Sequence, residues 1–205
     1  MCETKFLGVL IDEKLSWKSH ISFLKKKISR NIGILRKAKK VLNESTLLNL
    51  YYSFIYPYFL YGIEVWGSAY KTNINTLFKL QKRIVRLISN AKYLASTALL
   101  FKKHKLLNVF QLHIDKNQID MFKFVNNKLP AIFNYMFVRN STVHSINTRQ
   151  KDKFHMPKCK TDLSLHSFRY TSVKYFNMFE TKVDYTKNSF KKILKLHLLQ
   201  NSLLV

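Results

Sequence analysis

The sequence predicts a mainly α protein: a helical bundle with a short N-terminal β-hairpin or strand and a long basic loop near 139–167. Three observations support this. Only four Gly and three Pro occur in 205 residues, too few for the many turns of an all-β architecture. Hydrophobic residues make up 47% of the chain, as in a protein with a packed core. From residue 19 to about 138, apolar residues recur at helical rather than strand spacing in segment after segment.

The chain opens differently. Phe6, Leu7, Val9, Leu10 and Ile11 form an apolar, partly β-branched run with Gly8 inside it. The polar turn Asp12-Glu13-Lys14 follows, so the run reads as a strand bounded by a turn. Gly8 removes a side chain where other atoms can come close. Leu15 and Trp17 come next, and Ser19 is the expected cap of the first long helix.

That helix has two unlike faces. At about 100° per residue, Leu24, Ile28, Ile32, Leu35 and Leu42 fall on one side. Lys26, Arg30, Lys37 and Lys40 fall opposite, flanked by Lys25, Lys27, Arg36 and Lys39. No acidic residue lies between Trp17 and Leu42. One face docks on a core, and the other carries cations that repel one another unless an anion lies across them.

Asn43 ends this helix, and Ser45 caps the next. The uncharged stretch 46–63 approaches the length of a membrane span. It holds Asn49, Pro57, Gly62 and tyrosines throughout, so it reads as a core helix broken at Pro57. Asn73 then caps a second basic amphipathic helix. Leu77, Leu80, Ile84, Leu87 and Ile88 form its apolar side, while Lys79, Lys82, Arg83 and Arg86 form the other. Helical patterns continue over 99–105, 109–127 and 131–137. Between Arg139 and Ser167 the periodicity is lost, and 168–179 and 189–199 return to helix.

Net charge is the outlying property. Thirty-six Lys and Arg against eleven Asp and Glu leave a formal charge of +25. Such a surface calls for a polyanion, with nucleic acid first and anionic membrane as the rival. Two cysteines, Cys2 and Cys159, cannot build a disulfide framework or a four-thiolate zinc site. With His155 and His166, Cys159 matches no compact zinc spacing. Free thiols and the lack of a signal-peptide core point to an intracellular protein, nuclear or cytoplasmic.

Several motifs carry a resemblance. The segment KFLGVLIDEKLSWKSHI, from Lys5 to Ile21, resembles the region just after the palm of reverse transcriptases from non-LTR retrotransposons of the jockey and CR1-like kind. Pro57, Tyr58, Tyr61, Gly62 and Trp66 are similar to a second motif of that family. The run from Leu80 to Arg86 is similar to its QKRxVR helix. A Phe-x-x-x-Asn-x-x-Leu-Pro pattern ending at Pro130, and His144 with Thr148 and Arg149, extend the likeness. Near Tyr175-Phe176-Asn177 the family's usual Gly and Trp are missing.

The resemblance implies that Phe6, Leu7, Gly8 and Val9 belong to a primer-grip hairpin and that the helices behind it form a thumb. It implies a division into 1–18 (primer-grip remnant), 19–138 (thumb-like helices) and 139–205 (basic loop and helices). Lys26, Arg30, Lys37, Lys40, Lys82, Arg83 and Arg86 are the expected phosphate contacts to RNA or an RNA–DNA hybrid.

No catalytic site is expected. Polymerases hold paired metal ions with clustered carboxylates, and the acidic residues here are spread singly apart from Asp12-Glu13, a pair expected to be solvated in its turn. Asp115 and Asp120 read as surface ion-pair partners of Lys116 and Lys123. The family's metal-binding aspartates lie in the palm, upstream of the primer grip, so magnesium belongs there and no cofactor is expected for this chain. No small-molecule substrate is implied. The competing readings are a basic peripheral-membrane or structural protein, or a transposon relic without function.

Overall fold

The computed structural model describes residues 3–144, 146, 148–179 and 187–200, which hold eleven α-helices and one two-stranded antiparallel sheet. The chain divides into two compact units. One takes the chain up to Leu112 and from Leu198 onward, and the other takes His113–His197. The division falls within the segment that the sequence groups as one thumb-like domain, inside helix α7 (Val109–Val125).

In the first unit the expected strand is a hairpin. Strands β1 (Glu3–Phe6) and β2 (Val9–Asp12) pair with Phe6 opposite Val9. Leu7 and Gly8, at φ 44° and 84°, make the two-residue turn. Positive φ at both central positions matches the twist of the strands, and Leu7 adopts it without the freedom of glycine. Gly8 therefore turns the chain rather than sitting within a strand.

Helix α1 (Lys18–Ala38) buries His20, Ile21, Leu24, Ile28, Ile32 and Leu35. It stops at Ala38, so Leu42, expected on the core face, is exposed, and Lys40 lies in the turn beyond the helix. Ser19 is no cap: Trp17 holds the N-cap position at φ 60°, and the Ser19 hydroxyl donates to the Glu3 carboxylate. The next helix, α2 (Glu44–Phe54), is capped by Asn43 rather than Ser45. The Asn43 Oδ1 accepts from the Thr46 N–H at 2.9 Å and from the Ser45 hydroxyl at 2.9 Å.

The uncharged stretch breaks as Pro57 requires. Helix α2 ends at Phe54, and Pro57 sits in the first turn of α3 (Tyr56–Leu60), where its missing N–H costs nothing. Leu47, Tyr51, Ile55 and Phe59 are buried, whereas Tyr52 and Phe54 are exposed, so the segment is half core and half surface. Among the described residues no helix is long and apolar enough to cross a membrane. Helix α4 (Ile63–Trp66) buries Ile63 and Trp66.

Helix α5 (Lys71–Ile88) packs along α1, with α6 (Thr97–Lys103) beside it. It starts at Lys71, two residues before the expected Asn73 cap. Its buried face is Ile74, Leu77, Gln81, Ile84, Val85 and Ile88, with Leu80 and Leu87 half-buried at its margins. Gln81 is the polar member that periodicity does not reveal. Its amide donates to the Leu107 carbonyl at 2.9 Å and to the Tyr51 hydroxyl at 3.2 Å, and its Oε1 accepts from the Val109 N–H at 2.9 Å. One side chain thus joins α5, α2 and the start of α7. Burial drives the Tyr51 phenol far above its usual range, so it stays neutral.

The second unit is organised around aromatic rings. Met121, Phe137, Phe154 and Val173 form its buried cluster, with Phe124, Met136, Met156, Phe168 and Phe176 against it. Phe124 meets Phe137 edge-on at 4.9 Å, and Phe122 stacks on Phe190 at 4.4 Å. Phe154 comes from the segment expected to be a plain basic loop. Asn177, in α10 (Phe168–Met178), grips its backbone from both sides. The Asn177 Oδ1 accepts from the Phe154 N–H at 3.1 Å, and Nδ2 donates to the Phe154 carbonyl at 2.8 Å. Two one-turn helices, α8 (Asn140–Val143) and α9 (Asp162–Leu165), punctuate this segment, and Thr161 and Ser167 cap α9 and α10. Helix α11 (Lys187–Gln200) buries Phe190 and Leu194 here.

Asp115 is not the exposed ion-pair partner the sequence suggests. Half-buried, its carboxyl is pushed up to about 6 by burial, against the pull of Lys195, Lys191 and Lys116. Asp120 does pair with Lys123, at 2.5 Å.

Two outcomes test this packing. Gln81→Leu strands a carbonyl, an N–H and a phenol, each at roughly 1–3 kcal/mol, so urea unfolding is expected to show a loss of about 3 kcal/mol. His113, buried in the second unit, is lowered by burial from 6.5 to about 4. Its contribution to stability is complete above 6.5 and declines as pH falls from 6.5 toward about 4. An NMR titration of its ring protons is expected to show a midpoint near 4.

Candidate nucleic-acid interface

The loop between β2 and α1 sets the geometry of everything N-terminal. Asp12, expected to be solvated, is buried. Its carboxylate accepts from the Ser16 N–H at 2.9 Å and the Trp17 N–H at 2.8 Å. Burial alone would raise its pKa, but these hydrogen bonds outweigh burial and hold the carboxyl below its ordinary value. The bonds stabilise a loop in which Leu15 and Trp17 both take positive φ, a conformation unfavourable for either residue. His20, one turn into α1, accepts from the Leu10 N–H at 3.3 Å and lies 5.9 Å from the Trp66 ring. Burial lowers its pKa and keeps it neutral. Hairpin and helix are thereby fixed to each other.

The hairpin tip rests on the second family-like motif, far away in sequence. The Tyr61 hydroxyl donates to the Leu7 carbonyl. A Cβ at Gly8 would meet the Tyr61 ring at 3.6 Å, and one at Gly62 would meet the Val9 side chain at 3.3 Å. Gly62 also sits at φ +63°, so both glycines serve turn and close approach together. The Trp66 indole donates to the Tyr61 carbonyl at 2.8 Å. Trp66 is a core residue, but Tyr61 is 56% exposed beside Phe6 and Leu7, which are 62% and 73% exposed. The two motifs make one surface feature.

On α1, Lys26, Arg30 and Lys37 are exposed, about half a turn around the helix from the buried stripe. They span about 16 Å along the axis. Lys40 is exposed just beyond. On α5, Arg83 is exposed, while Lys82 and Arg86 are half-buried. The Lys82 ammonium lies 4.2 Å from the centre of the Phe78 ring. Arg86 is committed to its own surroundings: its Nε donates to the Ala95 carbonyl at 2.9 Å, and its guanidinium lies 6.0 Å from the centre of the Tyr93 ring. Among the described residues, none of these seven cations lies within salt-bridge distance of a carboxylate.

One cluster imitates catalytic machinery. The Ser89 hydroxyl lies 2.6 Å from His104 Nε2, and Glu44 approaches the same nitrogen at 3.4 Å. A nucleophile relay needs its acid on the opposite ring nitrogen. Glu44 instead pairs with Lys103 at 2.6 Å, and the cluster joins α2, α5 and α6. Among the described residues no group of three or more His, Cys, Asp or Glu is placed to hold a metal ion.

By sequence the chain is similar to a class of proteins, the RNA-directed DNA polymerases of non-LTR retrotransposons. It is 28% identical over 153 residues to the probable RNA-directed DNA polymerase from transposon X-element of Drosophila melanogaster, covering 71% of this chain and 16% of that protein. It is 31% identical to the probable RNA-directed DNA polymerase from transposon BS of the same species, covering 57% of this chain and 13% of that one. To the RNA-directed DNA polymerase from mobile element jockey of Drosophila melanogaster it is 31% identical, over 45% of this chain and 10% of the relative. The chain therefore spans a sixth or less of the curated relatives it matches. No family model matches, and no solved structure matches.

Asp12→Ala leaves two loop N–H groups without an acceptor, and charged hydrogen bonds of this kind contribute roughly 1.5–3 kcal/mol each. A loss of about 3 kcal/mol at neutral pH is expected. Because the folded carboxyl lies below its ordinary 3.8, that contribution is present above 3.8 and is lost as pH falls through the folded value. Thermal unfolding of variant and parent is thus expected to converge in strong acid.

Proposed function

We propose that this chain is the primer-grip and thumb portion of a retrotransposon reverse transcriptase, and that it holds RNA or an RNA–DNA hybrid along the outward faces of α1 and α5. The observation that carries the reading is the exposed line Lys26, Arg30 and Lys37, which among the described residues has no carboxylate within salt-bridge distance, while the opposite face of the same helix is buried. Duplex nucleic acid carries about one negative charge per 1.7 Å of axis, so such a line is attracted along its whole length. Phosphate contacts of this kind position a duplex and read little sequence. Lys40, Lys82 and Arg83 extend the contact. Arg86 orders its neighbouring loop and offers its remaining guanidinium N–H groups. Phe6, Leu7, Gly8 and Val9, seated on Tyr61 and Gly62, lie near the primer end.

The chain is non-catalytic by itself in this reading. Its one adjacent acidic pair is Asp12-Glu13, and Asp12 is occupied by the Ser16 and Trp17 N–H groups. Magnesium and the nucleotidyl-transfer step belong to a palm supplied by another part of the polymerase.

The test is fluorescence polarisation with a labelled RNA–DNA hybrid across a salt series, with anionic vesicles in parallel. Lys26→Glu, Arg30→Glu and Lys37→Glu together are expected to weaken hybrid binding at least about tenfold and to flatten the dependence of log K on log salt by up to about 0.9 per lost phosphate contact. Far-UV circular dichroism should be unchanged, because the three residues are exposed. Unaltered hybrid affinity, or binding to vesicles alone, contradicts the proposal.

A further inference from the structure

We propose that Tyr93 is a stacking platform for an unpaired nucleobase where a bound duplex gives way to a single strand. The inference rests on the nucleic-acid reading above and adds a separate site to it. Helix α5 ends in a motif that fixes the chain beyond it. Asn90 takes φ 51°, and the Ala91 N–H donates to the Arg86 carbonyl at 2.9 Å, as in a Schellman cap. The Ala95 N–H then donates to the Lys92 carbonyl at 3.0 Å, closing a four-residue turn. Tyr93 and Leu94 are the central residues of that turn. The Arg86 side chain crosses to the same turn and donates to the Ala95 carbonyl.

A turn held at both ends presents Tyr93 at 84% exposure. A phenol ring with so little contact contributes nothing to the core. The Arg86 guanidinium lies 6.0 Å from the ring centre. Lys92 is exposed next to it, and Arg83 is exposed one turn back along α5. No acidic residue occurs anywhere between Glu64 and Asp115, so nothing in this stretch repels a phosphate. An aromatic face flanked by cations is the chemistry that proteins use for unpaired bases: the ring stacks on the base while the cations take the adjoining backbone. Bases inside a duplex are already stacked on both faces, so the platform selects an unpaired base in an overhang.

The test measures binding of the full chain to a blunt RNA–DNA hybrid and to the same hybrid carrying a single-stranded extension with 2-aminopurine at its first unpaired position. The parent protein is expected to prefer the extended probe and to quench the 2-aminopurine. Tyr93→Ala and Tyr93→Leu are expected to lose roughly five- to hundredfold in affinity for the extended probe, to abolish quenching and to leave blunt-hybrid affinity unchanged. Tyr93→Phe and Tyr93→Trp should retain both preference and quenching. Equal losses on the two probes, undiminished affinity of Tyr93→Ala for the extended probe, or no preference in the parent protein would overturn the stacking site while leaving the duplex-binding reading in place. Failure of the parent protein to bind either probe would remove both.

Discussion

A helix has one circumference, and α1 spends half of it on the core. Once Ile21, Leu24, Ile28, Ile32 and Leu35 are buried, its lysines and arginines have only the outer side to occupy. There they lie close to one another in a part of the chain with no carboxylate between Glu13 and Glu44. The hydrophobic burial that places the helix thus concentrates like charge on its outer surface. The apolar packing is strong enough to tolerate this repulsion, which an external polyanion would relieve.

Much of that arrangement can be read before any coordinates are known. Core stripes of α1 and α5 follow the helical period, and Pro57 marks the break where it occurs. Polar residues that do structural work are harder to see. Gln81 stands within a run of cations and looks like one more surface residue, but its amide is the one group able to serve a carbonyl, an N–H and a phenol at once. Asp12 looks like half of a solvated turn, yet the two N–H groups ahead of α1 need its oxygens. Leu7 conceals the hairpin turn because leucine seldom adopts positive φ.

The site residues divide in the same way. Lys26, Arg30, Lys37 and Arg83 are where periodicity puts them, exposed and, among the described residues, without carboxylate partners. Arg86 is not equivalent to them, because its guanidinium is already bonded to a loop carbonyl, a contact that depends on how the chain turns after α5 rather than on its spacing within the helix. The meeting of Tyr61 and Gly62 with the hairpin likewise joins two motifs that sequence order keeps apart. Between Arg139 and Ser167 the apolar residues are too sparse to set a period, yet Phe154 and Met156 pack into the second unit's core, held by Asn177 rather than by any repeat.

Amide chemical-shift mapping of the full chain with an unlabelled RNA–DNA hybrid bears most directly on the central claim. The account predicts perturbations along the outward turns of α1 from Lys26 to Lys37, around Arg83 and at the tip of the hairpin. Perturbations confined to the second unit, or spread evenly over every basic residue of the chain, would contradict it.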